Sequence, residues 1–319
     1  MTNYAKNNIS FSHSELIEGA AVAPACGWSI AGLVCQTSGI PLKLFKYDDT
    51  KVDNMMGNYA SFLPGATSIG EILANEGYKN YFLSGSEWDF GGGTTYLSKH
   101  GNYTVWDYDE GVKEGVVDKD YYVWWGFEDK YVYEWGKEKL TEIAQDDQPF
   151  NFVLTTCDTH HEDGYLCDLC QKDHGSNKYA NVWRCASRQL DDFIKWIQDQ
   201  PFYENTTIVI TGDHCSMDSN FYDSLKADKH NGSIERKVYN CIINAPIEPT
   251  KETGRKFTTI DFYPTILASI GATIEGNRIG LGTNLFSDVE TLAEQYGYAV
   301  LFDELNRKST FYNNKLLYD

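Results

Sequence analysis

The sequence predicts an α/β fold in which a mostly parallel, doubly wound sheet carries helices on both faces. Residues 207–211 and 150–155 are short runs of β-prone residues, and an amphipathic stretch at 179–199 lies between them. This order is typical of a strand–helix–strand crossover of parallel type. Because no repeat or low-complexity linker interrupts the chain, we predict a single domain over residues 1–319.

The remaining elements follow in chain order. Residues 218–236 are polar and predicted as loop, and the aromatic tract 121–135 suggests either internal packing or a sugar-stacking surface. Residues 279–319 are predicted as a C-terminal tail packed on the domain. The other predicted elements are an extended piece at 9–13, helices at 30–39, 67–76, 137–145, 257–271 and 289–296, strands at 78–83 and 238–244, and a buried face of helix 179–199 made by Val182, Ala186, Leu190, Phe193 and Ile197.

Composition excludes several classes of partner. The 319 residues are 42% hydrophobic and 14% aromatic, which is typical of a globular chain. A net charge of −19 argues against binding of nucleic acid or of an anionic membrane surface, because neither polyanion would be attracted. No run approaches 18 apolar residues, and the first residues lack the apolar segment of a signal peptide.

A hydroxyl stands where a helix is expected to begin. Pro24 and Gly27 mark a turn, and Ser29 can cap the helix that follows. The free backbone amides and the dipole at a helix N-terminus also favour phosphate, so a nucleophilic hydroxyl would benefit there. Ser29 is therefore either a simple N-cap or a candidate nucleophile.

Acidic and imidazole side chains follow two of the predicted strands. Gly212 ends the strand at 207–211, so that Asp213 and His214 emerge at its C-terminal tip, the edge where open α/β sheets bind ligands. A carboxylate beside an imidazole suits a divalent metal, although a surface Asp-His pair is the simpler interpretation. His160 and His161 follow the strand at 150–155 in the same way.

The eight cysteines suggest disulfides and an oxidising compartment. Two other interpretations are free buried thiols and a structural zinc site. In the zinc interpretation Cys167 and Cys170 supply half of the ligands, and Cys157 and Cys185 complete the site.

Taken together, six segments resemble the lipoteichoic acid synthase and phosphoglycerol transferase family of the alkaline phosphatase–sulfatase superfamily. The resemblance covers essentially the whole chain in order. The segments are Gly27-Trp-Ser-Ile-Ala-Gly32 with Ser38-Gly-Ile-Pro-Leu42, Asp158-Thr-His-His-Glu-Asp-Gly-Tyr165, Gly212-Asp-His214, Asp261-Phe-Tyr-Pro-Thr265 and Gly280-Leu-Gly-Thr-Asn-Leu-Phe286.

The resemblance implies a metal-dependent phosphotransferase of the sulfatase superfamily. Such an enzyme moves phosphoglycerol from a phospholipid to a cell-surface glycan through a phospho-Ser29 intermediate. Ser29, Asp213 and His214 correspond to metal ligands, with Mn²⁺ or Zn²⁺ expected and Mg²⁺ as an alternative. His160 corresponds to a catalytic and substrate-contacting histidine, and Trp28 and His161 are further candidates for substrate binding.

The chain departs from the family in two places. The family's first metal ligand is a glutamate on an N-terminal strand, and Glu15 and Glu18 lie too close to the turn before Ser29 to replace it. The chain therefore resembles a catalytic domain that lacks this strand and the membrane helices, from an enzyme tethered at the extracytoplasmic face of the bacterial cell membrane. The loop at 84–93 has serine and glycines where lipoteichoic acid synthases have histidine and arginine, so we expect a different acceptor glycan.

Three alternatives stay open from sequence. A sulfatase-type hydrolase is disfavoured, because neither Cys26 nor Ser29 is followed four positions later by arginine. A phosphoethanolamine transferase would share the nucleophile and the metal ligands. The third alternative is not an enzyme. Because one metal ligand is missing, the chain could be a remnant that binds a glycan without turning it over.

Overall fold

The computed structural model describes residues 1–43, 46–48, 51–52, 61–228 and 236–317. The helices of this part of the chain are α1 (Thr2–Asn7), α2 (Ser29–Ser38), α3 (Ile69–Asn75), α4 (Gly93–Lys99), α5 (Tyr108–Glu114), α6 (Asp129–Ile143), α7 (Lys178–Gln198), α8 (Ser219–Asp228), α9 (Phe262–Ser269) and α10 (Leu292–Asn306). The strands are β1 (Lys46–Asp48), β2 (Lys51–Val52), β3 (Lys79–Ser84), β4 (Thr104–Trp106), β5 (Phe150–Thr155), β6 (Ile208–Thr211), β7 (Asn240–Ile243), β8 (Arg278–Ile279) and β9 (Gly282–Thr283).

The chain divides into two compact units. The first comprises Met1–Ile69, Asn205–Cys215 and Arg236–Asp319, and the second comprises Gly70–Glu204 and Ser216–Glu235. The prediction of one catalytic domain over residues 1–319 stays a prediction. No helix within the described ranges combines the length and the apolar character needed to cross a membrane.

The second unit is built on a parallel sheet with the strand order β4-β3-β5. In this register Ser84 pairs with Thr155, so β3 and β5 end at the same edge of the sheet. Helices α6 and α7 pack against each other, with the rings of Tyr133 and Phe193 5.1 Å apart. The loop that follows β5 therefore starts at the carboxyl edge of a parallel sheet.

The first unit is built around the antiparallel pair β6 and β7, beside which Ile9 forms a bridge to Ile242. A cluster of buried phenylalanines fills its core, and the ring of Phe11 lies 5.5 Å from Phe286 and 6.4 Å from Phe257 in edge-on contacts. Complete burial of one such side chain stabilises the fold by about 1.5–3 kcal/mol. This core supports the strand end that carries Asp213.

The C-terminal part of the first unit is fixed by Arg255, which is buried. Its guanidinium donates to both carboxylate oxygens of Glu294 on α10, at 2.7 and 3.1 Å. It also donates to the backbone oxygens of Leu285, Ser287 and Val289. All five donors of the guanidinium are therefore used.

The structure corrects several predicted elements. The segment predicted as loop at 218–236 contains α8, because the Asp218 carboxylate accepts a hydrogen bond from Phe221 N at 2.9 Å and Phe221 packs on Tyr179. Helix α6 begins at Asp129, eight residues before the predicted start, and buries Tyr133 and Trp135 from the aromatic tract. Among the described strands β6 pairs antiparallel with β7. The parallel pairing with β5 that the predicted crossover implied is not found among them.

The buried face of α7 also differs from the prediction. Val182, Phe193 and Ile197 are buried as expected, but Ala186 and Leu190 are only half-buried. Cys185 and Gln189 are also buried. Cys185 follows Val182 by three residues and Gln189 follows Cys185 by four, so the three residues share one face of the helix. The amide of Gln189 and the disulfide-bonded sulfur of Cys185 thus lie on the internal face of this helix.

Candidate active site

The N-terminus of α2 is formed by Trp28 and Ser29. Trp28 is the N-cap, with extended backbone (φ −150°, ψ 162°), and Ser29 is the first helical residue. The prediction that Ser29 itself is the N-cap is therefore wrong by one position. In the part of the chain that the structure describes, the half-buried Ser29 hydroxyl has no hydrogen-bond partner. It lies beside the unpaired amides of the first helical turn, which suit an anionic group.

Asp213 and His214 follow β6 directly. The Asp213 carboxylate accepts a hydrogen bond from His214 N at 2.8 Å, and its other oxygen lies 3.3 Å from His214 Nε2. The His214 imidazole is 8% exposed and the Asp213 side chain 52%. His214 Nδ1 lies 2.9 Å from the backbone oxygen of Cys215, which can only accept, so Nδ1 carries a proton.

The contact between Asp213 and His214 indicates whether these two side chains could bind a cation. In the neutral tautomer with Nδ1 protonated, His214 Nε2 presents a lone pair to a carboxylate oxygen 3.3 Å away. Two lone pairs at that distance repel unless the imidazole is protonated or a cation lies between them. A carboxylate oxygen and an imidazole nitrogen oriented by a backbone carbonyl fit a divalent metal.

Helix α2 is docked on the end of β6 by Gly32 and Gln36. A Cβ at Gly32 would lie 2.6 Å from the backbone oxygen of Asp213, so only glycine permits this approach. Gln36 Nε2 donates to the oxygens of Gly212 (2.8 Å) and Asp213 (3.3 Å), and its Oε1 accepts from Thr211 Oγ1 at 2.7 Å. Because Ser29, Gly32 and Gln36 share one helix face, the structure brings Ser29 to the strand end that carries Asp213 and His214.

Glu15 and Glu18 have other partners. Glu15 accepts a hydrogen bond from Thr253 at 3.1 Å, and Glu18 lies 4.0 Å from Lys237 Nζ. Within the described residues of the first unit, no third imidazole, thiol or carboxylate joins Asp213 and His214 in a metal-ligating group. The prediction that neither glutamate replaces the missing ligand stays a prediction.

An apolar groove of about 810 Å³ lies at the opposite end of α2 from Ser29. It is lined by Ser38, Tyr263 and exposed side chains that include Tyr296 and Val300. A ten-residue helix is about 15 Å long, and its C-terminal end carries partial negative charge. This groove therefore does not suit a phosphate group.

His160 and His161 belong to the second unit, in the loop after β5. Their rings lie 4.7 Å apart, and the ring of Trp125, which is 48% exposed, lies 4.7 Å from His160 on another side. His160 Nδ1 donates to the backbone oxygen of His161 at 2.6 Å. Nε2 is thus the nitrogen that can exchange a proton with a substrate.

A buried pair of carboxyl groups supports this loop. Asp129 Oδ1 accepts from the amides of Cys157 (2.7 Å) and Asp158 (3.2 Å), and Asp158 Oδ1 lies 3.3 Å from Asp129 N. The second oxygen of each carboxyl group is buried without a partner in the described residues. Burial raises the pKa of both groups. The Asp129 carboxylate raises the pKa of Asp158 further and Glu128 raises that of Asp129, so the pair retains a proton near neutral pH.

Asp129 was missed in the sequence because it lies inside the aromatic tract rather than at a strand tip. In the first unit, Ser29 thus lies on the face of α2 that packs on the end of β6, which Asp213 and His214 follow, and Trp28 is the N-cap. It brings His160 and His161 together in the second unit, on a loop supported by Asp129 and Asp158.

The cysteines follow more than one of the predicted patterns. Cys170 and Cys185 form a disulfide, whereas Cys26, Cys35, Cys157, Cys167, Cys215 and Cys241 are free thiols. The zinc interpretation with Cys157 as a ligand is not supported, because Cys157 is absent from the group of neighbouring sulfurs in the described residues.

Comparisons with known proteins relate this chain to phosphoglycerol transferases. It is 29% identical over 294 residues to phosphoglycerol transferase I from Citrobacter koseri, covering 90% of this chain and 36% of that protein. The chain thus spans about a third of the length of this curated relative.

Solved structures show the same fold. The chain is similar to a lipoteichoic acid synthase from Listeria monocytogenes (TM-score 0.65, 15% identity, 89% of this chain and 68% of that chain). It is also similar to an alkaline phosphatase superfamily protein from Vibrio parahaemolyticus (TM-score 0.61, 18% identity, 90% and 63%). The predicted α/β fold of the alkaline phosphatase–sulfatase type is confirmed.

The profile of the sulfatase family matches residues 33–272, about three quarters of the chain. The match includes Asp213, His214 and His160 and begins four residues after Ser29. Together with the relatives it confirms the family recognised from sequence and supports the prediction of a phosphotransferase. The chain belongs to the sulfatase family.

Proposed function

We propose that this chain is the catalytic part of a transferase that moves a phosphoglycerol group from a phospholipid to a cell-surface glycan. The observation that carries the proposal is the docking of α2 on the end of β6. It puts the Ser29 hydroxyl at a helix N-terminus, with Gly32 one turn further against the backbone of Asp213. The 29% identity to phosphoglycerol transferase I supports the substrate class.

Ser29 is the proposed nucleophile. Its hydroxyl loses a proton to solvent and its oxygen forms a bond to phosphorus. The bond from phosphorus to the diacylglycerol oxygen breaks, and that oxygen takes up a proton. The product is a glycerophospho-Ser29 diester. A glycan hydroxyl then loses its proton and attacks the same phosphorus, and the Ser29 oxygen takes up a proton as its bond to phosphorus breaks. The free amides at the start of α2 stabilise the charge on the phosphoryl oxygens in both steps.

The proposed cofactor is a divalent metal, Mn²⁺ or Zn²⁺, with Mg²⁺ as an alternative. Members of the sulfatase and alkaline phosphatase superfamily use divalent metals. Asp213 and His214 are the residues that would hold the ion, with Ser29 as a further ligand. A divalent ion lowers the pKa of a bound hydroxyl and neutralises phosphoryl charge.

His160 is proposed to act in proton transfer and to contact the phosphate or glycerol group. Its Nδ1 is committed to the backbone of His161, which fixes the ring and leaves proton exchange to Nε2. The departing diacylglycerol oxygen is the group that needs this proton. His161, stacked on His160, and Trp28 at the helix cap are proposed to contact the substrate.

The proposed location is the extracytoplasmic face of a bacterial cell membrane. The Cys170–Cys185 disulfide supports it, because disulfides persist in oxidising compartments. A phospholipid donor and a membrane tether in the full-length protein belong to the same proposal.

The test is a comparison of Ser29→Ala with the wild-type chain on a chromogenic glycerophosphodiester, with Mn²⁺ or Zn²⁺ added or chelated. We expect metal-dependent release of the leaving group and a loss of at least about 100-fold in Ser29→Ala, because no other hydroxyl would be activated there. Thr141→Ala serves as the matched control, since Thr141 is exposed and its hydroxyl bonds only the backbone of α6.

Trapping the intermediate separates the remaining alternatives. Mass spectrometry should find Ser29 modified by glycerophosphate after the chain meets phosphatidylglycerol, and by phosphoethanolamine if that is the true head group. Wild-type activity in Ser29→Ala would refute the nucleophile. A correctly folded wild-type chain that binds glycan but neither metal nor phosphodiester would instead identify a binding remnant.

A further inference from the structure

Three cysteine sulfurs lie together in the second unit. Cys170 and Cys185 form a disulfide, and the thiol of Cys167 lies 3.6 Å from Cys170 Sγ. All three sulfurs lie within 4.8 Å of one another, and Cys167 and Cys185 are 6% and 1% exposed. Because two of them are bonded to each other, the group cannot ligate a metal through three thiolates while the disulfide is intact.

Gln189, also on α7, points its amide nitrogen at this group. Nε2 lies 3.6 Å from Cys185 Sγ and 3.9 Å from Cys167 Sγ. The side chain is 8% exposed, and Oε1 is buried with no partner in the described residues. The amide therefore faces the two sulfurs that flank Cys170. An N–H group binds neutral sulfur weakly and thiolate more strongly.

We propose that these residues form a thiol–disulfide exchange site, in which Cys167 displaces Cys185 from Cys170. Cys167 loses its proton to solvent, and the thiolate forms a bond to Cys170 Sγ. The Cys170–Cys185 bond breaks, its electron pair stays on Cys185, and Cys185 takes up a proton. One disulfide and one thiol exist before and after the step, so no oxidant or reductant is consumed.

Gln189 serves both directions of this exchange. The sulfur that carries negative charge is Cys167 at the start and Cys185 at the end, and the same Nε2 lies near both. Burial raises the pKa of Cys167, with Asp158 and Asp168 adding to the effect and Lys130 opposing it. The resting site thus has Cys167 as a thiol beside the Cys170–Cys185 bond.

Exchange changes which segments are joined. The Cys170–Cys185 bond spans 15 residues and links the loop that follows His160 to α7. A Cys167–Cys170 bond would close within one turn, in which Cys170 N already donates to Cys167 O at 3.1 Å. The loop would then lose its disulfide link to α7.

Peptide mapping of the full chain tests the proposal. The chain is incubated without added thiol, quenched in acid, alkylated with N-ethylmaleimide and digested without reduction. Trypsin cleaves after Arg184 and Arg188, which isolates Cys185 in a four-residue peptide, whereas Cys167 and Cys170 share another peptide. We expect two products: Cys185 cross-linked to that peptide, and alkylated Cys185 beside an internal Cys167–Cys170 disulfide.

Variants assign the roles. Cys167→Ser should give only the cross-linked product, and Cys185→Ser should give only the internal disulfide. Gln189→Leu should slow the interconversion of the two products about tenfold, because a hydrogen bond to the thiolate is lost. Cys241→Ser, a buried thiol of β7 in the other unit, should change neither product. A wild-type chain that yields only the Cys170–Cys185 cross-link with fully alkylated Cys167, at every incubation time, would overturn the proposal.

Discussion

Gln36 on α2 donates a hydrogen bond to the backbone oxygen of Gly212 at 2.8 Å. The same side chain also bonds Asp213 O and Thr211 Oγ1, so one buried amide fixes the helix of the proposed nucleophile to three consecutive residues of the strand end. The position of Ser29 relative to Asp213 therefore depends on a residue that is not itself proposed to touch substrate.

Replacement of Gln36 by Leu should destabilise the chain by about 1–3 kcal/mol, because half-buried polar groups of Thr211 and Gly212 would lose their partners. Urea unfolding measures this loss. Gln145→Leu is the matched control, since Gln145 is exposed and bonds only its own helix. Equal stability of the two variants would show that the Gln36 contacts contribute nothing.

Gly32→Ala should impair phosphodiester turnover more than Gly27→Ala. The new methyl group would lie 2.6 Å from the Asp213 oxygen, which is a backbone atom, so α2 must shift at a cost of about 1–3 kcal/mol. Gly27 has nothing within 4 Å of its Cβ position. Steady-state rates and thermal unfolding of both variants check this; unchanged rates in Gly32→Ala would mean that turnover tolerates a displaced helix.

Asp213→Asn should weaken divalent metal binding by at least about 100-fold, because a neutral amide replaces the charged ligand. The measurement is the shift of the unfolding temperature with Mn²⁺ or Zn²⁺, supported by elemental analysis after dialysis. Asp303→Asn, on the exposed surface of α10, provides the control. Equal metal-induced shifts in both variants would place the ion elsewhere.

Asp129→Asn should make stability less dependent on pH. Burial raises the pKa of Asp129 and Asp158 in the folded chain, so the folded state binds more protons than the unfolded state, and stability falls as pH rises from the ordinary aspartate range toward neutrality. Removing one ionisable group should reduce this fall by about 1–2 kcal/mol. Urea unfolding between pH 5 and about pH 8 tests the slope, and Asp146→Asn, an exposed residue, should leave it unchanged.

The sequence predicted strands β3, β5, β6 and β7 and the Ser29, Asp213 and His160 segments because each has a local signal, whereas the three-residue strand β4 was not predicted. β5 and β6 are runs of β-prone residues, and polar side chains follow each at its end. The carboxyl pair had no such signal, since Asp129 and Asp158 are 29 residues apart and meet only after α6 packs beside β5. Helix α8 was missed because its polar residues resemble a loop, whereas its stability comes from Phe221 packing on Tyr179.

The five hydrogen bonds of Arg255 decide where this chain can be shortened. A clone that ended before Leu285 would retain the buried guanidinium but lose Glu294 and the three carbonyl oxygens that neutralise and solvate it. An unpaired buried charge costs several kcal/mol, comparable to the whole stability of a small domain. A protease that removes the residues from Leu285 onward would therefore destabilise the first unit, and expression designs should extend through α10.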